Sequence, residues 1–464
     1  MASLIRTRML ATPDTGLLSR QMQKSVVVPL ARFGFLFLAL FLTEVSAETN
    51  AAAAERKQKE IERALEQHEG LVSSGTPSTQ IRDVYQLSTQ SLPADTDDDG
   101  MPDDWEWANG LDPNNRDDAW LDPDVDLVIN LFEYQLDSNP NDPATPPVVT
   151  VAPSGADYTD VTTAIDSVAP GTVIRIAEGF YSVNYQTFNS KIVMIQGGWK
   201  SDFTERELGL YSTTFDGGMI EEKEVLYFSV DSGKPVIIID GIHFINGTGD
   251  FGAINLLASG SAFMRTSVVN CSITNSRNTT SFGGVLSIFN WDTSISDRTI
   301  ANTLIANNDA GALYTTSTED SSAHWRIINT TLAYNRNEGG DNGYGIRGFT
   351  LENGIIKSHI YNNIVWGNES QDLSIEGNTT FDVEYSDIGN IDLGVAGIYN
   401  AWEGNIDADP LFLDVATGDF HLSAASPAID SGISLGAPPI DIESRVRPKG
   451  NGYDMGAFEY EPGG

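Results

Sequence analysis

A run of acidic residues near position 100 has the spacing of a calcium-binding loop. The stretch from Asp95 to Glu106 fits the pattern D-x-[DN]-x-[DN]-G-x5-E, in which alternate carboxylates surround one ion and Gly100 permits the sharp turn. Calcium prefers such hard oxygen ligands, and the final Glu closes the shell with both oxygens. The predicted Ca²⁺ ligands are Asp95, Asp97, Asp99, the carbonyl of Met101, Asp103 (directly or through water) and Glu106.

A second loop with the same side-chain spacing begins 27 residues later. Leu127 stands where the first loop has its glycine, so we expect a weaker site. Its predicted ligands are Asp122, Asp124, Asp126, the carbonyl of Val128, Asn130 and Glu133. Pro93 and Pro123 exclude a helix running into either loop, so the loop–helix unit resembles thrombospondin type 3 and dockerin calcium repeats rather than a full EF-hand. A merely solvated acidic run is the alternative, although two copies in register are hard to ascribe to acidity alone.

An internal repeat in the second half of the chain predicts the main fold of the protein. One column recurs at intervals of 29, 32, 27 and 33 residues and contains Gly241, Asn270, Asn302, Asn329 and Asn362. Two residues before it lie Ile239, Val268, Ile300, Ile327 and Ile360; three residues after it lie Phe244, Ile273, Ile305, Leu332 and Val365. One coil of a parallel β-helix uses two or three short strands, so each apolar position returns one strand-spacing higher. The pattern predicts an all-β solenoid with a ladder of Asn amides at one bend.

A short amphipathic helix is predicted just before the first strand of this solenoid. Apolar residues recur there at helical spacing, at Tyr158, Val161, Ala164, Ile165 and Val168, and the strand-like segment 172–176 follows Pro170-Gly171. The open end of a β-solenoid exposes apolar surface and unpaired strand edges. We therefore expect this helix to cap the solenoid.

Motifs at both ends of the repeat region resemble a known superfamily. The early coil KIVMIQGGWKSDF, with the repeats above, resembles secreted right-handed β-helix proteins of the pectate-lyase-like superfamily, in the branch with polymorphic outer-membrane-protein style repeats. The motifs D-P-L-F, G-D-F-x-L, S-P-A-I-D-x-G and D-x-G-A-x-E-Y are similar to a choice-of-anchor Q ending. The resemblance covers about 148–460. It implies a right-handed β-helix in an extracellular setting, and it does not imply one activity.

A partly basic stripe is predicted on the outer face of one sheet. Residues three and five positions before the Asn column alternate with inward apolar residues, so their side chains should point outward. Arg326, Lys357 and His359 are the candidate ligand-binding residues of this stripe, although an ordinary solvated face would give the same pattern. No catalytic residue is assigned, because the histidines lack metal spacing and no hydrolase-type cluster of aspartates with an R-x-K motif is evident.

The overall charge and the N-terminal segment limit the possible partners and location of the protein. The chain of 464 residues has a formal net charge of −38, which repels nucleic acid and anionic membranes and attracts cations. An apolar run over 33–42 followed by Val45-Ser46-Ala47 predicts a signal peptide cleaved after Ala47. This run is too short to span a bilayer, so no membrane span is expected in the mature chain. The single cysteine, Cys271, excludes an intrachain disulfide.

The sequence therefore predicts five regions and a restricted set of functions. The regions are a signal peptide 1–47, a charged helix and linker 48–94, a calcium-loop segment 95–147, a right-handed parallel β-helix 148–395 and a choice-of-anchor Q-like region 396–464. We expect a secreted or cell-surface calcium-binding protein that binds polysaccharide or other surface polymers. A polysaccharide lyase or glycoside hydrolase acting on the outer face, and a structural or adhesion module without catalysis, remain as alternatives.

Overall fold

Three long parallel sheets form the walls of a right-handed β-helix. The computed structural model describes residues 92–220, 223–278, 283–336 and 343–462. Within these residues each coil contributes one strand to sheet A, then one to sheet B and one to sheet C, before the chain returns to sheet A. The predicted all-β fold class is confirmed. The predicted signal peptide and most of the segment 48–94 lie outside the described residues.

Within each sheet, strands from successive coils pair side by side in the order of the chain. Sheet A contains Val148–Val151, Thr172–Ala177, Ile192–Trp199, Val236–Asp240, Phe263–Val269, Ile295–Ala301, Ser322–Ile328, Ile355–Tyr361, Thr379–Glu384 and Ile398–Ala401. Sheet B contains Gly179–Ser182, Thr213–Asp216, His243–Ile245, Ser272–Thr274, Leu304–Ala306, Thr331–Ala333, Ile364–Trp366 and Asp387–Ile388. Sheet C contains Tyr185–Thr187, Leu226–Val230, Ile254–Ala258, Gly284–Asn290, Gly311–Ser317, Ile346–Thr350, Leu373–Glu376 and Ile391–Leu393.

The interior of the solenoid is filled by the apolar columns that the repeat predicts. Ile239 is paired with Val268, and this column continues through Ile300 and Ile327 to Ile360 in sheet A. The column that begins at Phe244 stacks in the same way in sheet B. All members of both columns belong to one buried core cluster. The strand Ile398–Ala401 still pairs in sheet A, so the coils extend slightly beyond the predicted boundary at 395.

The Asn column forms the bend between sheets A and B, where its four Asn residues adopt left-handed backbone angles. The Asn302 amide donates to the Asn270 side chain at 3.2 Å, and the Asn362 amide donates to the Asn329 side chain at the same distance. The ladder is interrupted between Asn302 and Asn329, because the Asn329 amide donates instead to the carbonyl of Asp454 at 3.0 Å. The predicted ladder is therefore present in two pieces.

The N-terminal end of the solenoid is closed by a strand and a helix. The helix Val161–Ser167 begins at Asp160, whose carboxylate accepts from the Thr163 backbone N–H at 2.7 Å. Its buried residues Val161, Ala164 and Ile165 join the interior core cluster. The strand Val148–Val151 precedes this helix and pairs with the second strand of sheet A, an arrangement that the sequence pattern did not predict.

The C-terminal region covers the outer face of sheet B. Phe420, Ile442 and Phe458 pack there against sheet residues such as Leu304 and Ala306. The region also contains the antiparallel strands Phe412–Asp414 and Asp419–Leu422. Among the described residues, no helix is long and apolar enough to cross a membrane.

The calcium-loop segment covers the outer face of sheet A. It contains the helices Asp103–Asn109 and Asn130–Leu136 and the 3-10 turn Asp118–Trp120. The outer face of sheet A carries apolar side chains beside its polar ones, so this face also needs cover. The segment residues in this contact are Met101, Ala119, Trp120, Val128, Leu131, Phe132 and Leu136, and the sheet residues are Val173, Met194, Val236, Ile238, Val269, Ala301, Ile328 and Tyr361. The segment and the solenoid belong to one compact unit, Ser88–Gly464.

Candidate metal centre

Hydrogen bonds from the backbone shape the first acidic loop. The Asp95 carboxylate accepts from the backbone N–H of Asp99 at 3.2 Å and of Gly100 at 3.0 Å, and the Asp99 carboxylate accepts from Met101 at 2.7 Å. Gly100 has a φ of 101°, a left-handed value that glycine adopts without a steric penalty. These contacts wrap the chain around the acidic side chains and bring carboxylate oxygens of Asp95, Asp97 and Asp99 within 4.8 Å of one another.

Several carboxylate oxygens in and beside this loop are buried without a hydrogen-bond partner among the described residues. Both oxygens of Asp97 and Glu106, and one oxygen each of Asp99 and Asp118, accept no hydrogen bond from the described part of the chain. Glu106 is completely buried, and oxygens of Asp99, Glu106 and Asp118 lie within 4.8 Å of one another. Buried polar groups in folded proteins are almost always paired, and unpaired buried charges are costly. A bound cation would satisfy all of these oxygens together.

Asp118 is a candidate ligand that the loop motif did not predict. Asp118 is the first residue of the 3-10 turn that follows the first helix. Its Oδ2 accepts a hydrogen bond from the Asp112 backbone N–H at 3.0 Å. Its Oδ1 accepts none from a described residue and is free to face the acidic cluster. By contrast, the Asp103 carboxylate accepts from both the backbone N–H and the hydroxyl of Thr96, at 2.7 and 2.8 Å. The acidic cluster of the first loop therefore includes Asp118, whereas the Asp103 carboxylate bonds to Thr96.

The second loop repeats the geometry of the first. The Asp122 carboxylate accepts from the backbone N–H of Val125 and Leu127, both at 2.9 Å, and Asp126 accepts from Val128 at 2.8 Å. Oxygens of Asp122, Asp124 and Asp126 lie within 4.8 Å of one another. Among the buried oxygens that accept nothing from a described residue are both of Asp124, the amide oxygen of Asn130 and one of Glu133. Leu127 has a φ of 70°, the strained equivalent of Gly100.

The protein groups alone leave these carboxylates difficult to ionise. Burial and then the neighbouring Asp97 raise the pKa of Asp99 to about 9, and the same two causes raise the pKa of Glu106 to about 8. In the second loop, burial followed by Asp124 raises the pKa of Glu133 to about 8. A divalent cation at the centre would reverse this effect, because it stabilises the charged form of every carboxylate around it.

Arg326 anchors the first loop to the outer face of sheet A. Its guanidinium hydrogen-bonds the Asp297 carboxylate on the neighbouring strand and lies 3.3 Å from the Asp98 carboxylate in the loop. Burial alone would raise the pKa of Asp297, but the adjacent Arg326 guanidinium holds it below its usual value. Since Arg326 is only 1% exposed, it joins the segment to the solenoid and is not available to an external polymer.

His359 makes a second contact of the same kind. One of its ring nitrogens lies 3.1 Å from Asp98 and the other 2.9 Å from Glu384. Although burial lowers the pKa of His359, the bonds to Asp98 and Glu384 raise it overall. Arg326 is paired with His359 in register, as predicted, but the calcium-loop segment covers both. The expectation that they bind an external anion is therefore wrong, and Lys357 is the one member of the predicted trio with an exposed side chain.

The outer face of sheet C carries a group of largely buried apolar and aromatic side chains. Leu257, Phe289 and Tyr314 lie there on successive coils and form a cluster separate from the interior core. The Phe289 and Tyr314 rings are 5.8 Å apart, and the Arg347 guanidinium lies 5.9 Å from the centre of the Tyr314 ring. Trp291, which is 37% exposed, packs beside Phe289. This cluster was not evident from the sequence, because its members do not fall at one fixed offset from the Asn column.

Comparisons with known proteins find similarity at the level of structure. No family model and no curated protein sequence matches the chain. Among solved structures, it is similar to the chain titled "Crystal structure of pectate lyase Pel9A", with a TM-score of 0.35 and 15% identity over 68% of this chain and 97% of that chain. A likeness at this level carries no information about activity or ligands. The strand pairing itself defines the fold.

Proposed function

We propose that this is a secreted calcium-binding β-helix protein, in which two Ca²⁺ ions hold the acidic segment on the outer face of sheet A. The observation that carries the proposal is the set of buried oxygens of Asp97, Asp99, Glu106 and Asp118 that accept no hydrogen bond from a described residue. Oxygen-only ligand sets of this kind suit calcium. The signal peptide expected before Glu48 supports an extracellular setting, where calcium is abundant.

The two ions would have a structural role. The second loop continues directly into a helix whose Leu131 and Phe132 pack on sheet A, and the first loop places Met101 in the same apolar cluster. Without a cation, mutual repulsion within the loops opposes this packing. A cation that binds only the folded segment stabilises it by mass action. We therefore expect calcium removal to release the segment while the solenoid stays folded.

Calcium titration by calorimetry tests this proposal, with variants that separate the ligands from their acidic neighbours. The mature protein should bind two ions, and Glu106→Gln and Glu133→Gln should each remove one of them. Asp118→Asn should weaken the first site at least tenfold, because one carboxylate is lost from the shell. The matched control Asp103→Asn should bind nearly as the unmodified protein does, since Asp103 bonds to Thr96. Absence of calcium binding by the unmodified protein would exclude the proposal.

A second proposed function is polysaccharide binding at the outer face of sheet C. Aromatic rings stack on the apolar faces of sugars, and the exposed Trp291 ring offers such a face at the edge of the buried cluster around Phe289. This surface replaces the stripe on sheet A, which the calcium-loop segment covers. Trp291→Ala should weaken binding to a responsive polysaccharide in a panel of neutral and anionic polymers. Trp107→Ala, which removes an exposed tryptophan elsewhere, is the control.

The same polysaccharide panel distinguishes the enzymatic alternative. A lyase would generate unsaturated products with ultraviolet absorbance, and a glycoside hydrolase would release reducing ends. Binding without either product supports the polymer-binding function. Failure to bind any polymer supports the structural or adhesive alternative and leaves the calcium proposal intact.

A further inference from the structure

A positively charged side chain is buried inside the solenoid. Arg298 lies in sheet A, paired in register with Thr266 on one side and Trp325 on the other. Trp325 belongs to the interior core cluster, and Arg298 is only 1% exposed. Its neighbour Asp297 points to the opposite face, where it bonds to Arg326. The Arg298 guanidinium therefore lies among the core side chains, unlike the outward-facing arginines of the same sheet.

The contacts of Arg298 contain no negative charge. Its guanidinium donates to the Thr266 hydroxyl at 2.8 Å, to the Asn290 side-chain oxygen at 3.3 Å and weakly to the Met264 sulfur at 3.8 Å. The Trp325 ring lies 5.9 Å from it. No carboxylate of a described residue forms an ion pair with Arg298. Burial lowers the pKa of Arg298 to about 9, so the group still carries its charge at neutral pH.

Unused polar groups surround this charge. The Arg298 Nε, the Asn290 Nδ2 and the Trp325 Nε1 are buried donors without an acceptor in the described structure. The hydroxyls of Ser296, Thr315 and Ser317 are likewise buried and unbonded. Ser317 is paired in register with Asn290, and Ser296 lies two residues before Arg298 on the same side of its strand. These groups therefore lie on neighbouring coils at the corner between sheets C and A.

The chemistry of these unused polar groups favours an anion over water as their binding partner. Three of the unused groups are N–H groups that can only donate, and the hydroxyls can also donate. A buried water would accept some of these bonds, but it would leave the arginine charge without compensation. A small anion can accept from several of these donors and also neutralises the charge.

We propose that the solenoid encloses a small monovalent anion of halide size, bound by Arg298 and the donors of Asn290 and Trp325. This site is separate from the calcium loops, and the proposal does not depend on them. The anion would complete the polar section of an otherwise apolar core in the middle coils. Because the site is fully enclosed, the anion is expected to enter during folding and to exchange slowly afterwards.

Refolding with different anions tests the proposal. The protein is unfolded and refolded with saturating calcium gluconate, while sodium bromide replaces sodium gluconate at constant ionic strength. The midpoint of thermal unfolding should rise by several degrees and continue to rise with the logarithm of bromide concentration. Arg298→Met should abolish this dependence. Lys234→Met, which removes an exposed positive charge, should keep it.

Crystals of the unmodified protein refolded in bromide provide a second readout that does not require the variant to fold. An anomalous peak within hydrogen-bonding distance of the Arg298 guanidinium would support the proposal. An unfolding midpoint that is independent of bromide, together with only water density at Arg298, would overturn it. Neither outcome depends on calcium binding, so failure here leaves the proposed function standing.

Discussion

Replacement of Arg326 by Met should destabilise the protein, because the buried Asp297 charge loses its arginine partner and keeps only His324, at 3.7 Å. Asp297 is almost fully buried, so most of the loss comes from this pair, and removal of one partner of a buried ion pair costs about 3–5 kcal/mol. The contact with Asp98, whose side chain is 28% exposed, should add less than about 1 kcal/mol. We expect a total loss of about 3–6 kcal/mol in the free energy of unfolding, measured by urea denaturation in saturating calcium.

A second substitution should restore part of the lost stability, and the contribution of this ion pair should depend on pH. Asp297→Asn in the Arg326→Met background should recover more than half of the lost stability, because it removes the buried Asp297 charge that has lost its arginine partner. Arg326 holds the pKa of Asp297 below its usual value, so the stability from this pair is present above the unfolded pKa and is lost on acidification. Lys200→Met, which breaks an exposed pair with Asp202, should cost less than about 1 kcal/mol. A loss below about 1 kcal/mol for Arg326→Met, or no rescue, would refute the anchoring role.

Three further substitutions test other parts of the structure by the same denaturation assay. Asn329→Leu should cost about 1–3 kcal/mol, because the Asn362 side-chain amide loses its acceptor and the Asp454 carbonyl loses its donor; unchanged stability would exclude a role for the ladder. Leu127→Gly should raise stability by about 0.5–1 kcal/mol, since it relieves the φ of 70°, and a loss would contradict strain at this turn. Burial raises the pKa of Asp387 to about 7, so its proton is bound more tightly in the folded state and stability falls as pH rises from about 4 through 7. Asp387→Asn should therefore stabilise the protein at pH 8 and not at pH 4, and an equal effect at both pH values would contradict this linkage.

The repeat architecture was predictable because it depends on local patterns that recur. Ile300 and Ile327 stack in register as the spacing implies, and Asn302 and Asn329 adopt the left-handed backbone of the bend. Each coil applies the same steric and burial constraints, so five weak local signals reinforce one another. The clustering of carboxylates in the acidic loops was predictable for a similar reason, since most of these carboxylates lie within short motifs.

Contacts between regions distant in sequence were not predictable from these patterns. Nothing in the sequence of the loop indicates that Asp98 meets Arg326, which lies more than two hundred residues later. Asp118 falls outside the motif and reaches the first loop only because the chain turns back after the helix Asp103–Asn109. The outward stripe had the correct register, but its apolar neighbours such as Val269 and Ile328 show that this face packs against the segment. The alternation of apolar and polar residues along the strands predicted which side chains point outward, but it did not predict which segment covers them.

Hydrogen exchange of the full mature protein, with calcium and with excess chelator, tests the central claim most directly. We predict that backbone amides of residues 95–136 are protected in calcium and exchange rapidly after its removal. The coils between Val236 and Glu384 should keep their protection in both conditions, because their ladders do not depend on the ions. Equal protection of the 95–136 segment with and without calcium would contradict the claim that bound ions hold it on the solenoid.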